Sequence, residues 1–194
     1  MGTDCFGASP LAMTKWGSVV LNESLRYAVA RLAPGWVGLL SSSKGLRRLV
    51  LPQSSAEQVR SCLRSYLDGA IADVPYFEAL LSRLAAYFEG RAVSFVDRLD
   101  LDKASVFQVQ VWEAVRGIPY GETRGYAWVA ERIGHPGATR ATGQALAANP
   151  APIIVPCHRV IMSGGGLGGF SGGQSMKESL LMLEGGSPGG LLLL

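Results

Sequence analysis

The chain has 194 residues, of which 48% are hydrophobic and 17% charged, and its formal net charge is +3. This size allows one good core or two small ones, and no apolar run approaches the roughly 18 to 20 residues that a membrane span requires. The three cysteines, Cys5, Cys62 and Cys157, form neither a CxxC pair nor an even-numbered disulfide framework. We therefore expect a soluble protein of a reducing compartment, without a signal peptide. The mildly basic charge permits nucleic-acid binding without demonstrating it.

The first hundred residues are predicted to form a small α/β domain. Residues 21–32 fit either a short helix or a strand. Residues 36–40 and 46–51 are predicted to form a β-hairpin, with Lys44 and Gly45 in its turn and Pro52 at its end. Ser54 and Glu57 have the spacing of a capping box, which predicts that a helix starts there. Its apolar face would consist of Val59, Cys62, Leu63, Tyr66 and Leu67, so that Cys62 would lie in the core.

A second helix is predicted over residues 75–88, because its large apolar side chains recur at helical spacing. They are Phe77, Leu80, Leu81, Leu84, Tyr87 and Phe88. Glu89 and Gly90 end this helix, and residues 93–101 alternate well enough to predict a strand. Nothing in this half of the chain indicates chemistry.

Residues 101–184 are predicted to form a mainly helical domain. Helices are expected over 106–115, 126–133 and 138–148, with breaker residues 134–137 between the last two. Two short helices around such a turn have the outline of a helix-turn-helix, although an ordinary corner between packed helices has the same outline. Arg140 is the only charged residue of the last helix, which is otherwise rich in small residues. A helix this bare could approach DNA closely in the minor groove, or pack tightly against another helix.

Residues 153–161 combine an apolar run with two reactive side chains. Pro156 disfavours a helical conformation for Val155, so we expect an extended segment that delivers Cys157 into the interior. His158 follows directly and is one of only two histidines. A thiol attacks as the thiolate and needs a base or a positive charge to form it. The alternative is an unreactive buried cysteine beside a histidine that bonds to the backbone.

Several motifs surround this pair in a fixed order. They are 107–112 (FQVQVW), 118–123 (IPYGET), Tyr126, 138–141 (ATRA), Asn149-Pro150, 156–159 (PCHR) and the glycine-rich segment 164–173, which contains Ser171-Gly172-Gly173. Across about residues 107–184, the chain resembles the O6-alkylguanine-DNA alkyltransferases, in which the PCHR core carries the alkyl-accepting cysteine. The resemblance implies that Cys157 takes an alkyl group from O6-alkylguanine in DNA, irreversibly and once per molecule.

The same resemblance implies roles for individual residues. His158 would be the base that deprotonates Cys157 through a water, Glu184 would orient His158 from the end of a C-terminal helix, and Asn149 would tie the turn before Cys157. Arg140 would intercalate in place of a flipped nucleotide, while Tyr126 would crowd the phosphate backbone and help to drive the flip. Further DNA contacts would come from Ala138, Thr139 and Gly143, and the guanine pocket would be lined by Pro152, Val160, Phe170, Ser171 and Tyr126. Ordinary alternatives are a solvated surface Arg140, a surface Glu184 and a glycine-rich linker.

The partner implied is double-stranded DNA containing O6-alkylguanine, and the sequence leaves open whether O4-alkylthymine is also repaired. No cofactor, metal or membrane is implied, and a monomer in the cytoplasm, or in the nucleus of a eukaryote, is expected. The N-terminal half has no histidine, so we expect no zinc site there. Gly125 and Phe170 depart from residues common in the family, and residues 185–194 are expected to be a disordered tail. The competing classes are a cysteine-free lesion-binding module and a Cys-His hydrolase with repeated turnover.

Overall fold

The structure is a computed structural model that describes residues 25–185. Its N-terminal part is a four-stranded sheet in the order β3-β2-β1-β4. Strands β1 (Arg26–Leu32), β2 (Gly35–Ser42) and β3 (Gly45–Gln53) are consecutive and antiparallel, and the short β4 (Ile71–Ala72) pairs parallel to β1. The predicted hairpin is thus confirmed, although β3 runs past Pro52. Of the two alternatives for 21–32, the strand is correct from Arg26 onward; residues 21–24 and Cys5 lie outside the described residues.

Helix α1 (Ala56–Leu63) follows the sheet, and two predictions about it are wrong. Its cap is Ser55, whose hydroxyl accepts from Gln58 N, and not the pair of Ser54 and Glu57. Val59 and Leu63 are fully buried, one helical turn apart, whereas Cys62 is exposed. The helix therefore turns its Val59 and Leu63 edge to the sheet, and Cys62 points away from that edge because successive helical residues are about 100° apart.

The predicted second helix is confirmed as a 3₁₀ turn (Pro75–Phe77) that leads into α2 (Glu78–Phe88). The predicted strand over 93–101 is wrong, because only Leu99 forms a bridge, to Leu46 of β3. The backbone of this segment bonds to β3 at that single point, through Leu46 N to Arg98 O and Asp100 N to Leu46 O, both at 2.8 Å. An alternating pattern needs a partner strand along its whole length to form a ladder, and β3 offers one point only.

The C-terminal part is mainly helical, as predicted. Helix α3 (Val106–Arg116) starts at a capping box of Ser105 and Gln108. The short strand β5 (Arg124–Gly125) leads into α4 (Tyr126–Arg132), and α5 (Thr139–Ala147) follows after a turn. Strand β6 (Val160–Ile161) pairs parallel to β5, and α6 (Gln174–Leu183) closes the described part. No helix among residues 25–185 has both the length and the apolar character needed to cross a membrane.

The two parts share buried side chains. One cluster joins Leu39, Leu84 and Tyr87 of the N-terminal part to Ile153 and Leu180 of the C-terminal part. The edge of β3 is also tied to the loop after α5, where Leu49 N donates to Pro150 O at 2.9 Å. The N-terminal layer therefore packs directly against the segment that precedes Cys157.

Candidate active site

Residues 149–156 form a tight turn and not the predicted extended segment. Val155 N donates to Ala151 O at 2.9 Å, and Ile153 adopts a φ of 76°, which is unusual for a β-branched residue. The Asn149 side chain holds this turn, because its Oδ1 accepts from Ala151 N at 3.0 Å and its Nδ2 donates to Val155 O at 2.9 Å. Pro156 then leads into a 3₁₀ turn (Cys157–Arg159). The apolar pattern of residues 153–155 could not predict this turn, because the turn depends on a hydrogen bond from the Asn149 side chain to Val155, six residues later.

Cys157 lies at the end of this turn and is only 5% exposed. Asn149 Nδ2 also donates to Cys157 Sγ at 3.0 Å, so that one amide organises both the turn and the sulfur. Burial raises the pKa of the Cys157 thiol, against the opposing effects of the Asn149 hydrogen bond and the charge of Lys177. The thiol is therefore protonated at rest and requires a base for nucleophilic chemistry.

His158 is completely buried, and its two ring nitrogens have different environments. Its Nε2 lies 2.8 Å from Glu184 Oε1, and the carboxylate can only accept, so Nε2 carries the proton. Its Nδ1 is buried and makes no hydrogen bond within residues 25–185. Burial lowers the pKa of His158 even though Glu184 acts in the opposite direction. The imidazole is therefore neutral near pH 7, with Nδ1 as the basic nitrogen.

Glu184 caps the end of α6 and is buried, which excludes the surface alternative. Arg159 binds it with two hydrogen bonds, from Nε to Oε2 at 2.8 Å and from Nη2 to Oε1 at 2.9 Å. Gly121 N donates to Oε2 at 3.1 Å. Burial disfavours the charged form, but the hydrogen bonds from His158 and Arg159 outweigh it and lower the pKa of Glu184 to about 2. The carboxylate is therefore ionised at any physiological pH.

Three buried polar side chains of this site were not predicted. Arg159 could have been predicted, because it belongs to the PCHR motif. Tyr87 comes from α2, in the half that showed no sign of chemistry, yet its hydroxyl donates to Glu184 Oε1 at 2.8 Å. Lys177 of α6 is fully buried. Tyr87 and Lys177 had no local sequence signal, because each reaches the site only through the fold.

Lys177 places a cation beside the thiol. Its Nζ donates to Val160 O at 2.6 Å and to Leu167 O, and it lies 6.0 Å from the centre of the Tyr126 ring. No carboxylate pairs with it in the part of the chain that the structure describes. Burial lowers the pKa of Lys177 to about 8, and its charge favours the thiolate form of Cys157.

The predicted pocket residues lie around this centre at different depths. Pro152 and Val160 are buried next to the Cys157 turn, and the ring of Phe170 lies 6.5 Å from that of His158, edge to face. Tyr126 is partly buried, and the loop passes so close that a methyl group on Gly168 would lie 2.7 Å from its hydroxyl. Ser171 is exposed in the turn before α6.

Helices α4 and α5 present the predicted DNA-contacting residues. Arg140 is exposed on α5 and makes no hydrogen bond or ion pair with residues 25–185. Thr139 is exposed beside it, Ala138 is the partly buried residue before the helix, and Gly143 lies under the Tyr126 ring. Within the same described range, no cluster of three or more His, Cys, Asp or Glu side chains could hold a metal ion.

The part of the chain that contains this site is similar to known proteins. A family model described as the DNA-binding domain of 6-O-methylguanine DNA methyltransferase matches residues 106–186. A Mycolicibacterium paratuberculosis protein named methylated-DNA–protein-cysteine methyltransferase is 51% identical over 108 residues, which are 56% of this chain and 65% of that protein. A protein of the same name from Methanosarcina acetivorans is 46% identical over 118 residues, which are 61% of this chain and 75% of that protein.

A solved structure supports the same likeness over more of the chain. The crystal structure of Mycobacterium tuberculosis OGT in complex with DNA has a TM-score of 0.70 at 40% identity, and the match covers 82% of this chain and 92% of that one. This agreement confirms the predicted fold class, with a small sheet in the N-terminal part and helices in the C-terminal part. In sequence, the chain spans just under two thirds of the length of the mycobacterial relative.

Proposed function

This chain belongs to the family of methylated-DNA–protein-cysteine methyltransferases, and we propose that it reverses DNA damage by transferring an alkyl group from O6-alkylguanine to Cys157. The observation that carries this proposal is the buried pair of Cys157 and its chain neighbour His158. Nε2 of this histidine is held by Glu184, and its Nδ1 makes no hydrogen bond within residues 25–185 and is left to accept a proton.

The chemistry begins with loss of the thiol proton. His158 Nδ1 accepts this proton, directly or through a water, while Nε2 keeps its own proton on Glu184. Cys157 Sγ then attacks the carbon attached to guanine O6, so that a C–S bond forms and the C–O bond breaks. The electron pair stays with guanine, which takes up a proton and is restored. The thioether product does not hydrolyse under mild conditions, and each molecule therefore reacts once, without a cofactor.

Because Cys157 Sγ is buried, the alkylated guanine must leave the DNA helix to reach it. Every residue from Ala151 to Val160 is buried, so a guanine that stays stacked in duplex DNA could not contact Cys157 Sγ. A nucleotide rotated out of the helix would need a pocket beside the sulfur, and we assign Tyr126, Val160 and the loop up to Ser171 to that pocket. We assign Pro152 and Phe170 to the walls of that pocket.

The helix pair supports a DNA-binding face. We propose that α4 and α5 act as a helix-turn-helix on the minor groove, with Ala138, Thr139 and Gly143 allowing close approach and Tyr126 crowding the backbone. Arg140, which is exposed and makes no ion pair within residues 25–185, would fill the space of the flipped nucleotide. In this arrangement residues 101–184 form the DNA-binding and transfer domain, and residues 1–100 form a second domain that supports it.

Two other functions would use part of the same surface. A lesion-binding module would recognise the alkylated base without a nucleophile, and the presence of Cys157 speaks against it. A Cys-His hydrolase would turn over repeatedly. Stoichiometry separates both from the proposed transfer.

The test is the intact mass of the protein after incubation with a duplex that contains one O6-methylguanine, measured beside the Cys157→Ser variant. We expect one methyl group per wild-type molecule at saturation and none on the variant. Tight binding of the lesion without a change in mass would move the assignment to a binding module. Continued product formation beyond one equivalent would indicate a hydrolase.

A further inference from the structure

Among the described residues of the N-terminal part, Tyr87 is the side chain that hydrogen-bonds to the candidate relay. Its hydroxyl lies 2.8 Å from Glu184 Oε1 and 3.3 Å from His158 Nε2, and the residue is completely buried. It is separated from His158 by 71 positions in the chain and from Glu184 by 97. The contact therefore exists only because α2 packs against the end of α6.

The direction of these hydrogen bonds follows from the acceptor. Glu184 is ionised and can only accept, so both Tyr87 O–H and His158 Nε2–H point at the same oxygen, Oε1. Burial and the nearby carboxylate raise the pKa of Tyr87 far above its ordinary value, so this hydroxyl keeps its proton. Tyr87 is thus a permanent donor to the atom that holds the imidazole.

We propose that Tyr87 is a positioning residue of the alkyl-transfer relay: by sharing Glu184 Oε1 with His158, it moderates the pull of the carboxylate on the imidazole and keeps His158 neutral with Nδ1 free. This inference rests on the proposed function, in which His158 receives the thiol proton. It gives the N-terminal part a direct share in the chemistry, beyond support of the fold.

The oxygen that Tyr87 and His158 share determines the direction of the pH shift. When Tyr87 is replaced by Phe, Oε1 loses one donor, and its negative charge is left to interact more strongly with His158. A stronger interaction favours the imidazolium form, so the imidazole stays protonated up to a higher pH. A protonated His158 cannot accept the thiol proton, and the acid limb of the transfer rate must therefore move to higher pH.

Other groups near the relay stay in place in this variant. The titratable and charged side chains that face His158 and Glu184 are Cys157, Arg159, Lys177, Tyr120 and Tyr87. Of the two tyrosines, only Tyr87 donates to the carboxylate. Tyr120 donates instead to the backbone oxygens of Gly90 and Leu183, at 2.9 and 3.0 Å. Tyr120→Phe is therefore a matched control that removes a hydroxyl from the same aromatic cluster without touching Oε1.

The experiment is the single-turnover rate of methyl transfer from a duplex containing O6-methylguanine, measured across pH for wild type, Tyr87→Phe and Tyr120→Phe. We expect the acid limb of Tyr87→Phe to move up by roughly half to one pH unit. This is about half of the roughly one to two units that a whole hydrogen bond to a charged group represents, because the withdrawn bond acts on His158 only through Glu184. The limb of Tyr120→Phe should coincide with that of the wild type. Affinity for the duplex should be unchanged in Tyr87→Phe, because the buried residue cannot touch DNA.

A second measurement covers the case in which Tyr87→Phe does not fold. Fluorotyrosine placed at position 87 is a stronger donor of nearly the same size, and it should move the acid limb to lower pH. An acid limb that stays at the wild-type position in both proteins, even with a lower maximal rate, would show that Tyr87 is only structural. If the wild-type protein accepts no methyl group at any pH, the proposed alkyl transfer to Cys157 itself is contradicted.

Discussion

Glu184→Gln tests how far the buried carboxylate supports both the fold and the relay. The pKa of Glu184 falls from 4.5 to about 2 in the folded protein, and at about 1.4 kcal/mol per unit this difference contributes about 3 kcal/mol to stability at neutral pH. The substitution also leaves the guanidinium of Arg159 buried without its charged partner. We therefore expect the free energy of unfolding at pH 7 to fall by at least about 3 kcal/mol, a large share of the roughly 5 to 15 kcal/mol typical of a domain.

The pH dependence gives this prediction its sign. A depressed carboxylate pKa stabilises the fold above the unfolded value, and this stabilisation is lost as pH falls through the folded value. The difference between wild type and Glu184→Gln should therefore be constant from pH 7 to about 5, then shrink, with less than half remaining near pH 3. Urea denaturation at a series of pH values measures the unfolding free energy of each protein. The difference between the two values cancels the contributions of the other carboxylates, which both proteins share.

Glu178→Gln is the control, because Glu178 lies on the same helix and makes no hydrogen bond or ion pair within residues 25–185. It should change the unfolding free energy by less than about 0.5 kcal/mol. Methyl transfer should slow in Glu184→Gln and not in Glu178→Gln. A loss below about 1 kcal/mol in Glu184→Gln, with no dependence on pH, would refute the role assigned to this buried ion pair.

Three further variants test separate parts of the site. Asn149→Ala removes three hydrogen bonds from the Cys157 turn and should lower the unfolding free energy by about 3 kcal/mol, measured by urea denaturation, whereas an unchanged value would mean that the turn forms without the amide. Lys177→Met should slow methyl transfer, because the thiolate loses a nearby positive charge. It should also abolish a rise of about 3 kcal/mol in stability between pH 8 and 10.5. The wild type shows this rise because its folded state loses the Lys177 proton near pH 8, whereas the unfolded state keeps it up to about pH 10.5; a rise that persists in the variant would contradict the assignment. Arg140→Ala should leave stability within about 0.5 kcal/mol. It should slow transfer from duplex DNA and leave transfer from the free O6-methylguanine base unchanged, whereas an equal loss with both substrates would place Arg140 outside the DNA-binding face.

Patterns within one element predicted the fold best. The two apolar runs within 36–51, separated by a turn, and the helical spacing over 75–88 were sufficient because each signal is complete within its own element. Residues 93–101 carried an alternating signal and formed no strand, since β3 bonds to them only around Leu46. Cys62 had the spacing of a core residue, yet the edge of α1 that faces the sheet is only wide enough for Val59 and Leu63.

The candidate site shows the same division between local and long-range information. Cys157 and His158 are adjacent in sequence, and the family resemblance supplied Glu184 and Asn149 at matching positions. Tyr87 and Lys177 carried no local signal, because a tyrosine on the apolar face of α2 looks like any core residue and a lysine on α6 looks like a surface residue. Only the packing of α2 and α6 around the Cys157 turn gives them buried polar partners.

The charges of the buried centre explain why these two residues belong with the others. Arg159 neutralises Glu184, which leaves the ammonium of Lys177 as the net charge around a neutral thiol and a neutral imidazole. Transfer of the thiol proton to His158 creates an anion on the side of Lys177 and a cation on the side of Glu184. Each new charge therefore forms next to an existing charge of opposite sign, in a buried environment where such attraction is stronger than in water. By donating to Glu184, Tyr87 limits that attraction on the histidine side, so the proton stays off His158 until the thiol supplies it.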